Sequence, residues 1–117
     1  MKSEKLADLV VAALEDVKAV NIRQLDVRKL TSIADYMIVA SGRSARQVRA
    51  LAENVVDAAR VQGIKPIGIE GMEASEWILI DLGDVIVHTM QAATREFYQL
   101  EKLWETPVAG ASADPAG

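Results

Sequence analysis

The chain has 117 residues, of which 50% are apolar and 26% are charged, a composition typical of one globular domain. It contains no cysteine and one histidine, which excludes disulfides and the usual zinc clusters. Thirteen basic and seventeen acidic residues give a net charge of −4. This balance favours a basic partner, and we expect little direct nucleic-acid binding.

The N-terminal residues carry no pattern of a targeting or membrane segment. Asp8, Glu15 and Asp16 interrupt the region where a secretory signal needs a continuous apolar stretch. No apolar run approaches the roughly 18 residues of a membrane-spanning helix. We therefore expect a cytoplasmic protein without membrane association.

The first part of the chain predicts one helix followed by two strands. Apolar residues from Leu6 to Val17 recur at the i, i+3, i+4 spacing of an amphipathic helix, and Ser3 is the expected N-cap. Residues 21–27 predict a short strand. The continuous apolar run at residues 36–40 is typical of a strand that is buried on both faces.

A second helix and a third strand come next. The sequence Ser44-x-x-Gln47 is a capping box, and Gly63 is a natural left-handed stop, so we expect a helix between them. Residues 67–70 predict a short strand that ends at Gly71. The helix is expected to bury one apolar stripe: Val48, Leu51, Ala52, Val55 and Ala59.

Residues 77–88 predict a β-hairpin, because two apolar runs flank the Gly83-Asp84 pair of a two-residue turn. A tight turn would place Leu79 opposite His88. Side chains alternate between the two faces of a strand. One face is then aliphatic: Ile78, Ile80, Leu82, Val85, Val87 and Thr89. The other, which we call the mixed face, carries these residues: Trp77, Leu79, Asp81, Ile86, His88 and Met90. We expect the aliphatic face in the core and treat the mixed face as a candidate docking surface.

The last predicted helix spans residues 92–105. Its apolar stripe is expected to pack in the core: Ala93, Phe97, Leu100 and Trp104. From Thr106 onward small residues and prolines dominate, so we expect a folded domain at 1–105 and a disordered tail at 106–117. The order α-β-β-α-β-β-β-α predicts an α/β (α+β-like) domain with a mixed five-stranded sheet flanked by helices.

The sequence contains none of the enzyme motifs that we considered. Ser44 follows Gly42 but does not form the G-x-S-x-G nucleophile elbow, and a lone His88 is more often a packed residue than a base. Asp81 and Asp84 are separated by three positions across a tight turn, where a turn role explains Asp84 better than a metal site. We predict no enzymatic activity, no metal and no cofactor.

Three arginines at the start of the second helix leave an alternative open. Arg43, Arg46 and Arg49 cluster where the helix dipole disfavours cations, beside a Gly-Ser turn of the kind found in nucleotidyltransferases. A degenerate nucleotidyltransferase-like protein that binds nucleotide would explain them. We favour a solvated basic face paired with Glu53, because such a misplacement costs only about 0.3–1 kcal/mol. The chain also lacks the D-x-D pair with which transferases hold magnesium.

The mixed face has two competing interpretations. Trp, Tyr and Arg are the residue types that most often anchor interfaces. Trp77 lies on the mixed face, and Tyr98 falls beside the stripe of the last helix, on the side that it shares with Arg95. Either these side chains bind a partner, or the last helix covers Trp77 and completes the core. A third hypothesis is that the mixed face forms a homodimer.

Four segments together resemble the ribosomal silencing factor family, also called Iojap-like. They are D-Y-M-I-V-A-S-G-x-S-x-x-Q at 35–47, E-G at 70–71, W-x-x-x-D-x-G-D-V-I-V-H at 77–88 and R-x-F-Y-x-L-E-x-L-W at 95–104. Each motif is modest alone, but all four in this order are quite specific. The resemblance covers roughly residues 3–105, which is everything except the tail.

The resemblance implies a non-enzymatic function. Family members bind the large ribosomal subunit through its ribosomal protein number fourteen and keep the small subunit from docking, which lowers translation when nutrients are scarce. The family fold is a mixed sheet flanked by helices, distantly similar to nucleotidyltransferases but without their metal carboxylates. An acidic domain would approach a basic ribosomal protein faster because of electrostatic attraction.

Combined with the mixed face, the resemblance gives a set of expected partner-binding residues. Trp77, Tyr98 and Arg95 would be the anchors, and acidic side chains would supply the complementary charge. The full set is: Trp77, Tyr98, Arg95, Asp81, Glu70, Glu101, Met90 and His88.

Overall fold

The computed structural model describes residues 1–105, so the predicted disordered tail at 106–117 lies outside the described residues. The helices are α1 (Ser3–Asp16), α2 (Ala45–Val61), α3 (Ala92–Tyr98) and α4 (Lys102–Glu105). The strands are β1 (Val20–Asp26), β2 (Tyr36–Gly42), β3 (Gly68–Glu70), β4 (Trp77–Asp81) and β5 (Val85–Gln91). The expected α/β fold with a mixed five-stranded sheet flanked by helices is confirmed. None of the described helices is long and apolar enough to cross a membrane.

The strands lie in the order β1-β2-β5-β4-β3. Strands β2 and β5 pair in parallel, and the other neighbouring strands pair antiparallel. The parallel pair requires a crossover, which α2 provides. Strand β2 is buried throughout, as its continuous apolar sequence predicts.

The main core lies between one face of the sheet and the helices α1 and α2. The predicted stripe of α2 is fully buried there, and so is the aliphatic face of the hairpin. At the start of α2 the Ser44 hydroxyl accepts a hydrogen bond from the Gln47 backbone N–H at 3.1 Å, which confirms the predicted cap. The Gln47 side chain then donates to the carbonyl oxygens of Val17 and Lys18 and so joins α2 to the end of α1. The cap predicted for α1 is wrong, because Ser3 already lies inside the helix and Lys2 occupies the N-cap position.

The hairpin between β4 and β5 has the predicted register. The Leu82 N–H donates to the Val85 carbonyl at 3.0 Å, and Leu79 pairs with His88. Gly83 has φ +92°, a left-handed conformation that glycine adopts without steric cost. The Asp81 carboxylate accepts the Gly83 N–H at 2.8 Å and therefore stabilises the turn.

The predicted last helix is wrong in one respect, because it is broken into α3 and α4. Gln99 adopts a left-handed conformation (φ 48°, ψ 46°) and ends α3, although neither glycine nor proline marks this position. The break interrupts the apolar stripe. Phe97, predicted in the core, is 79% exposed, while Leu100 packs against the sheet. The side chain of Trp104 lies outside the described residues.

The close packing of Gly71 against the start of β4 can be tested by measuring protein stability. It has φ +92°, and a methyl group there would lie 2.1 Å from the Trp77 carbonyl oxygen. Gly71→Ala should therefore lower the free energy of unfolding by about 2–5 kcal/mol, from backbone strain plus overpacking. Gly63→Ala is the matched control, since Gly63 has φ +78° with nothing within 4 Å, and should cost about 1–2 kcal/mol. Urea unfolding measures both, and equal costs would contradict the steric argument.

Candidate protein-binding surface

Strand pairing arranges the mixed face into rows across the sheet. In one row the paired residues run from β3 to β1: Glu70, Leu79, His88, Val39 and Arg23. In the adjacent row Trp77 pairs with Met90, which in turn pairs with Ser41. The register therefore places Trp77 beside His88 and Met90 on the mixed face, as the sequence predicted.

A second, smaller core lies on the mixed face. Trp77 and Leu100 pack, partly buried, against its buried members: Leu25, Val27, Met37, Val39 and Met90. Met90 is completely buried, so its side chain supports the surface from below. Trp77 packs against this second core and is half-buried, so part of its side chain remains accessible to a partner.

His88 holds the Trp77 indole through a hydrogen bond. The indole Nε1–H donates to His88 Nδ1 at 2.8 Å. His88 is 4% exposed, and burial lowers the pKa of its imidazole to about 4. The ring is therefore neutral near pH 7, and because Nδ1 accepts, the proton lies on Nε2. That buried Nε2 has no hydrogen-bond partner among the described residues.

Three aromatic rings form a surface that we call the aromatic patch: Trp77, Phe97 and Tyr98. The Trp77 and Tyr98 ring centroids are 5.0 Å apart with the planes tilted by 50°. Phe97 meets Tyr98 edge to face at 4.9 Å and 85°. These are favourable aromatic geometries, so the rings orient one another. Phe97 is 79% exposed and Tyr98 is 56% exposed, which leaves a contiguous apolar surface open to solvent.

Arg95 is a residue of α3 and is 9% exposed. Its Nε and Nη2 donate to Glu101 Oε2 at 3.1 Å and 2.9 Å. Its Nη1 donates to the Ser41 hydroxyl at 3.0 Å and to the Asn21 carbonyl. Burial has the largest single effect on the pKa of the Glu101 carboxyl and raises it, but the hydrogen bonds from Arg95 and the backbone, together with nearby arginine charges, outweigh burial, so the net shift is downward. Arg95 therefore connects α3 to β1, to β2 and to the segment after Gln99.

The other acidic residues that we expected at the interface differ in exposure. Glu70 is exposed on the edge strand β3, and Asp81 is half-buried with its carboxylate committed to the Gly83 N–H. The structure thus brings Trp77, Tyr98 and Glu70 to the surface and places His88, Met90 and Arg95 below it. Sequence reasoning missed Phe97, because its helical spacing matched a core stripe. The available signals were its position beside Tyr98 and its place in the motif at residues 95–104.

The arginine cluster of α2 divides into two parts. Arg49 donates to the Ser75 hydroxyl and to the Met72 and Glu73 carbonyl oxygens, so it fixes the loop that leads into Trp77. This role differs from the pairing with Glu53 that we favoured. Arg43 and Arg46 are exposed.

The fold and the surface define a class: an α/β domain whose mixed sheet is covered by helices on one face and presents an aromatic patch on the other. A family model described as "Ribosomal silencing factor during starvation" matches residues 1–115. The chain belongs to the ribosomal silencing factor family, and the resemblance of its four motifs is confirmed.

Similar proteins agree with this assignment. The ribosomal silencing factor RsfS of Chromobacterium violaceum is 46% identical over 104 residues, which cover 89% of this chain and 85% of the relative. A crystal structure of a protein from the same organism has a TM-score of 0.88 at 45% identity and covers 92% of this chain and 91% of that one. A more distant relative is the mouse "Mitochondrial assembly of ribosomal large subunit protein 1", 32% identical over 83% of this chain and 44% of its own length.

The buried His88 makes stability depend on pH. Its folded pKa of about 4 lies below the ordinary value of 6.5, so as pH falls through this window the unfolded chain binds a proton that the folded chain does not. The contribution of the neutral His88 imidazole to the free energy of unfolding is therefore complete above pH 6.5, and it is lost as the pH falls toward 4. We expect the free energy of unfolding to lose about 2 kcal/mol from this group between pH 7.5 and pH 5.

The control for this effect is His88→Gln, which removes the only histidine of the chain and retains a hydrogen-bond acceptor. Carboxyl groups titrate alike in both proteins, so the difference between their pH profiles isolates the imidazole. Denaturant unfolding at both pH values measures it. Parallel profiles would show that His88 is not held neutral by burial.

Proposed function

We propose that this chain is a translational repressor that binds the large ribosomal subunit through ribosomal protein number fourteen and sterically blocks joining of the small subunit. Membership of the ribosomal silencing factor family supports a ribosome-associated repressor. The name of the mouse relative refers to the ribosomal large subunit. The observation that carries the proposal is the aromatic patch, because two of its three rings, Phe97 and Tyr98, are apolar surface that the folded monomer leaves exposed.

The patch has the properties of a binding hot spot. Aromatic side chains dominate the binding energy of many interfaces when they enter a desolvated contact. Tyr98 packs on Trp77 and Phe97 packs on Tyr98, so the rings are already ordered before a partner arrives. Preorganisation lowers the entropy that binding must overcome. We therefore assign the direct contacts to Trp77, Phe97 and Tyr98.

Charge supports a basic partner. The chain has a net charge of −4, and Glu70 is exposed on the same face of the sheet as Trp77. An acidic protein approaches a basic ribosomal protein faster than a neutral one does, and salt reduces this advantage. We assign complementary charge to Glu70 and to the half-buried Asp81, and a supporting role to His88 and Met90.

The proposed mechanism needs no chemical step. A domain that occupies the surface where two subunits meet prevents their association by its volume alone, so the protein acts in the cytoplasm as a non-enzymatic factor without a cofactor. Repression then depends on affinity and on concentration. The free protein would form a homodimer through the same patch, which would shield the exposed rings from solvent.

Removing Phe97 tests the patch with little effect on folding. Since its ring is 79% exposed, Phe97→Ala should leave the free energy of unfolding nearly unchanged. Binding to the large subunit should weaken by about 2 kcal/mol, roughly 30-fold, if the ring is a hot spot. Tyr98→Ala should behave similarly. Co-sedimentation with purified large subunits at several protein concentrations measures the affinity.

Val61→Ala is the matched control, because Val61 is 81% exposed at the end of α2 and belongs to the opposite layer of the molecule. It should bind as the parent does. Equal affinity of the Phe97 and Tyr98 variants with the parent would remove the patch from the interface. Light scattering of the same variants tests the homodimer, which should dissociate at higher concentrations in Phe97→Ala than in the parent.

Subunit joining tests the repressor function directly. Purified large and small subunits are mixed with and without saturating protein, and the joined fraction is measured by sucrose-gradient sedimentation. We expect the protein to reduce joining and to remain with the large subunit, since occlusion requires it to occupy that surface. Phe97→Ala should reduce joining only at higher concentration. Normal joining at saturating protein would refute the occlusion mechanism.

A further inference from the structure

The chain segment that carries Phe97 and Tyr98 is locally weak. Helix α3 has seven residues and α4 has four, both too short to be stable alone. Between them Gln99 adopts the left-handed conformation that residues other than glycine disfavour. Contacts from elsewhere in the fold must therefore hold this segment in place.

Arg95 and Glu101 supply those contacts from both sides of the break. Arg95 lies in α3 and Glu101 lies two residues after Gln99, and two hydrogen bonds of 3.1 Å and 2.9 Å join their side chains. Arg95 is also anchored on Ser41 of β2 and on the Asn21 carbonyl of β1. The pair thus closes the segment into a loop and attaches that loop to the sheet.

We propose that the Arg95–Glu101 ion pair is the positioning element of the aromatic patch, and that neither side chain contacts the binding partner. This inference rests on the proposed function of the patch. Closing the loop directs Phe97 and Tyr98, which lie between the paired residues, out into solvent, where they are 79% and 56% exposed.

The alternative is that Arg95 anchors the partner directly, as its place in the sequence suggested. Arg95 is 9% exposed, and its guanidinium already donates four hydrogen bonds inside the molecule. To reach a partner it would have to leave the Glu101 carboxylate buried without its cation. Breaking one side of a buried ion pair is strongly unfavourable. The geometry therefore favours positioning.

The variant that tests the proposal is Glu101→Gln, which keeps the side-chain shape but removes the charge that holds the guanidinium. Affinity for the large subunit should fall by about tenfold, because a charge-assisted pair is replaced by a weaker neutral hydrogen bond. Glu96→Gln is the matched control. It removes one negative charge from an exposed residue of the same helix and should change the affinity by less than about twofold.

Fluorotyrosine NMR separates positioning from a general loss of stability. The chain has two tyrosines, and Tyr36 is 5% exposed in the sheet. In Glu101→Gln the Tyr98 resonance should move toward the position of free fluorotyrosine as the ring leaves Trp77. The Tyr36 resonance should stay in place and show that the sheet is intact. An unchanged Tyr98 resonance would overturn the proposal.

A double-mutant cycle separates positioning from direct contact. If Glu101 acts through Phe97 and Tyr98, then adding Glu101→Gln to a variant that already lacks both rings (Phe97→Ala with Tyr98→Ala) should cost little further affinity, whereas a direct contact would add its full effect. Additive losses would overturn the proposal, as would full binding by Glu101→Gln.

The same measurements distinguish failure of this inference from failure of the proposed function. If Phe97→Ala and Tyr98→Ala themselves bind normally, the proposed function of the patch fails. If only Glu101→Gln binds normally, the inference about the ion pair fails alone.

Discussion

The register of the β4–β5 hairpin is the constraint on which the rest of the structure depends. A shift by one residue would turn one strand over relative to the other, so that either Ile80 of β4 or Val87 of β5 would leave the main core. The turn prevents such a shift, since Gly83 provides the left-handed conformation and Asp81 accepts its N–H at 2.8 Å. The same register pairs Leu79 with His88 and Trp77 with Met90, and it thereby assembles the base of the aromatic patch.

Two buried polar side chains, His88 and Arg95, lie beneath that patch. The energetic cost of burying each one is offset in a different way. His88 becomes neutral, since burial lowers its pKa to about 4, and it can then accept the Trp77 N–H. Arg95 stays charged and is compensated by Glu101 and by two further acceptors. Replacing a whole buried ion pair by well-packed apolar residues is often neutral or stabilising, so stability alone does not account for the Arg95–Glu101 pair. The hydrogen bonds of these polar groups are directional, and they therefore fix the orientation of the indole and of α3. Apolar packing would not fix these orientations in the same way.

Local patterns predicted the parts of the fold that local physics determines. The Ser44 cap, the alternation in the hairpin and the buried run of β2 all depend on neighbouring residues, and the structure has them. The break at Gln99 depends instead on Arg95 reaching Asn21 and Ser41, which lie 74 and 54 positions away in the sequence. No local pattern contains such contacts, so the helical spacing of Phe97 and Leu100 was interpreted as one continuous core stripe. The position of Phe97 on the surface follows from that distant network.

The residues of the patch differ in how much they contribute to folding, and this decides what each can reveal about function. Trp77 packs on the second core and donates to His88, so its removal affects stability and binding together. Phe97 contacts Tyr98 and is otherwise exposed, so folding gains little from its ring. An exposed phenylalanine has an unfavourable hydration free energy that the folded monomer does not recover. Burial in a complex recovers it, and for this reason Phe97, which the sequence pattern assigned to the core, is the most direct structural argument for a binding partner.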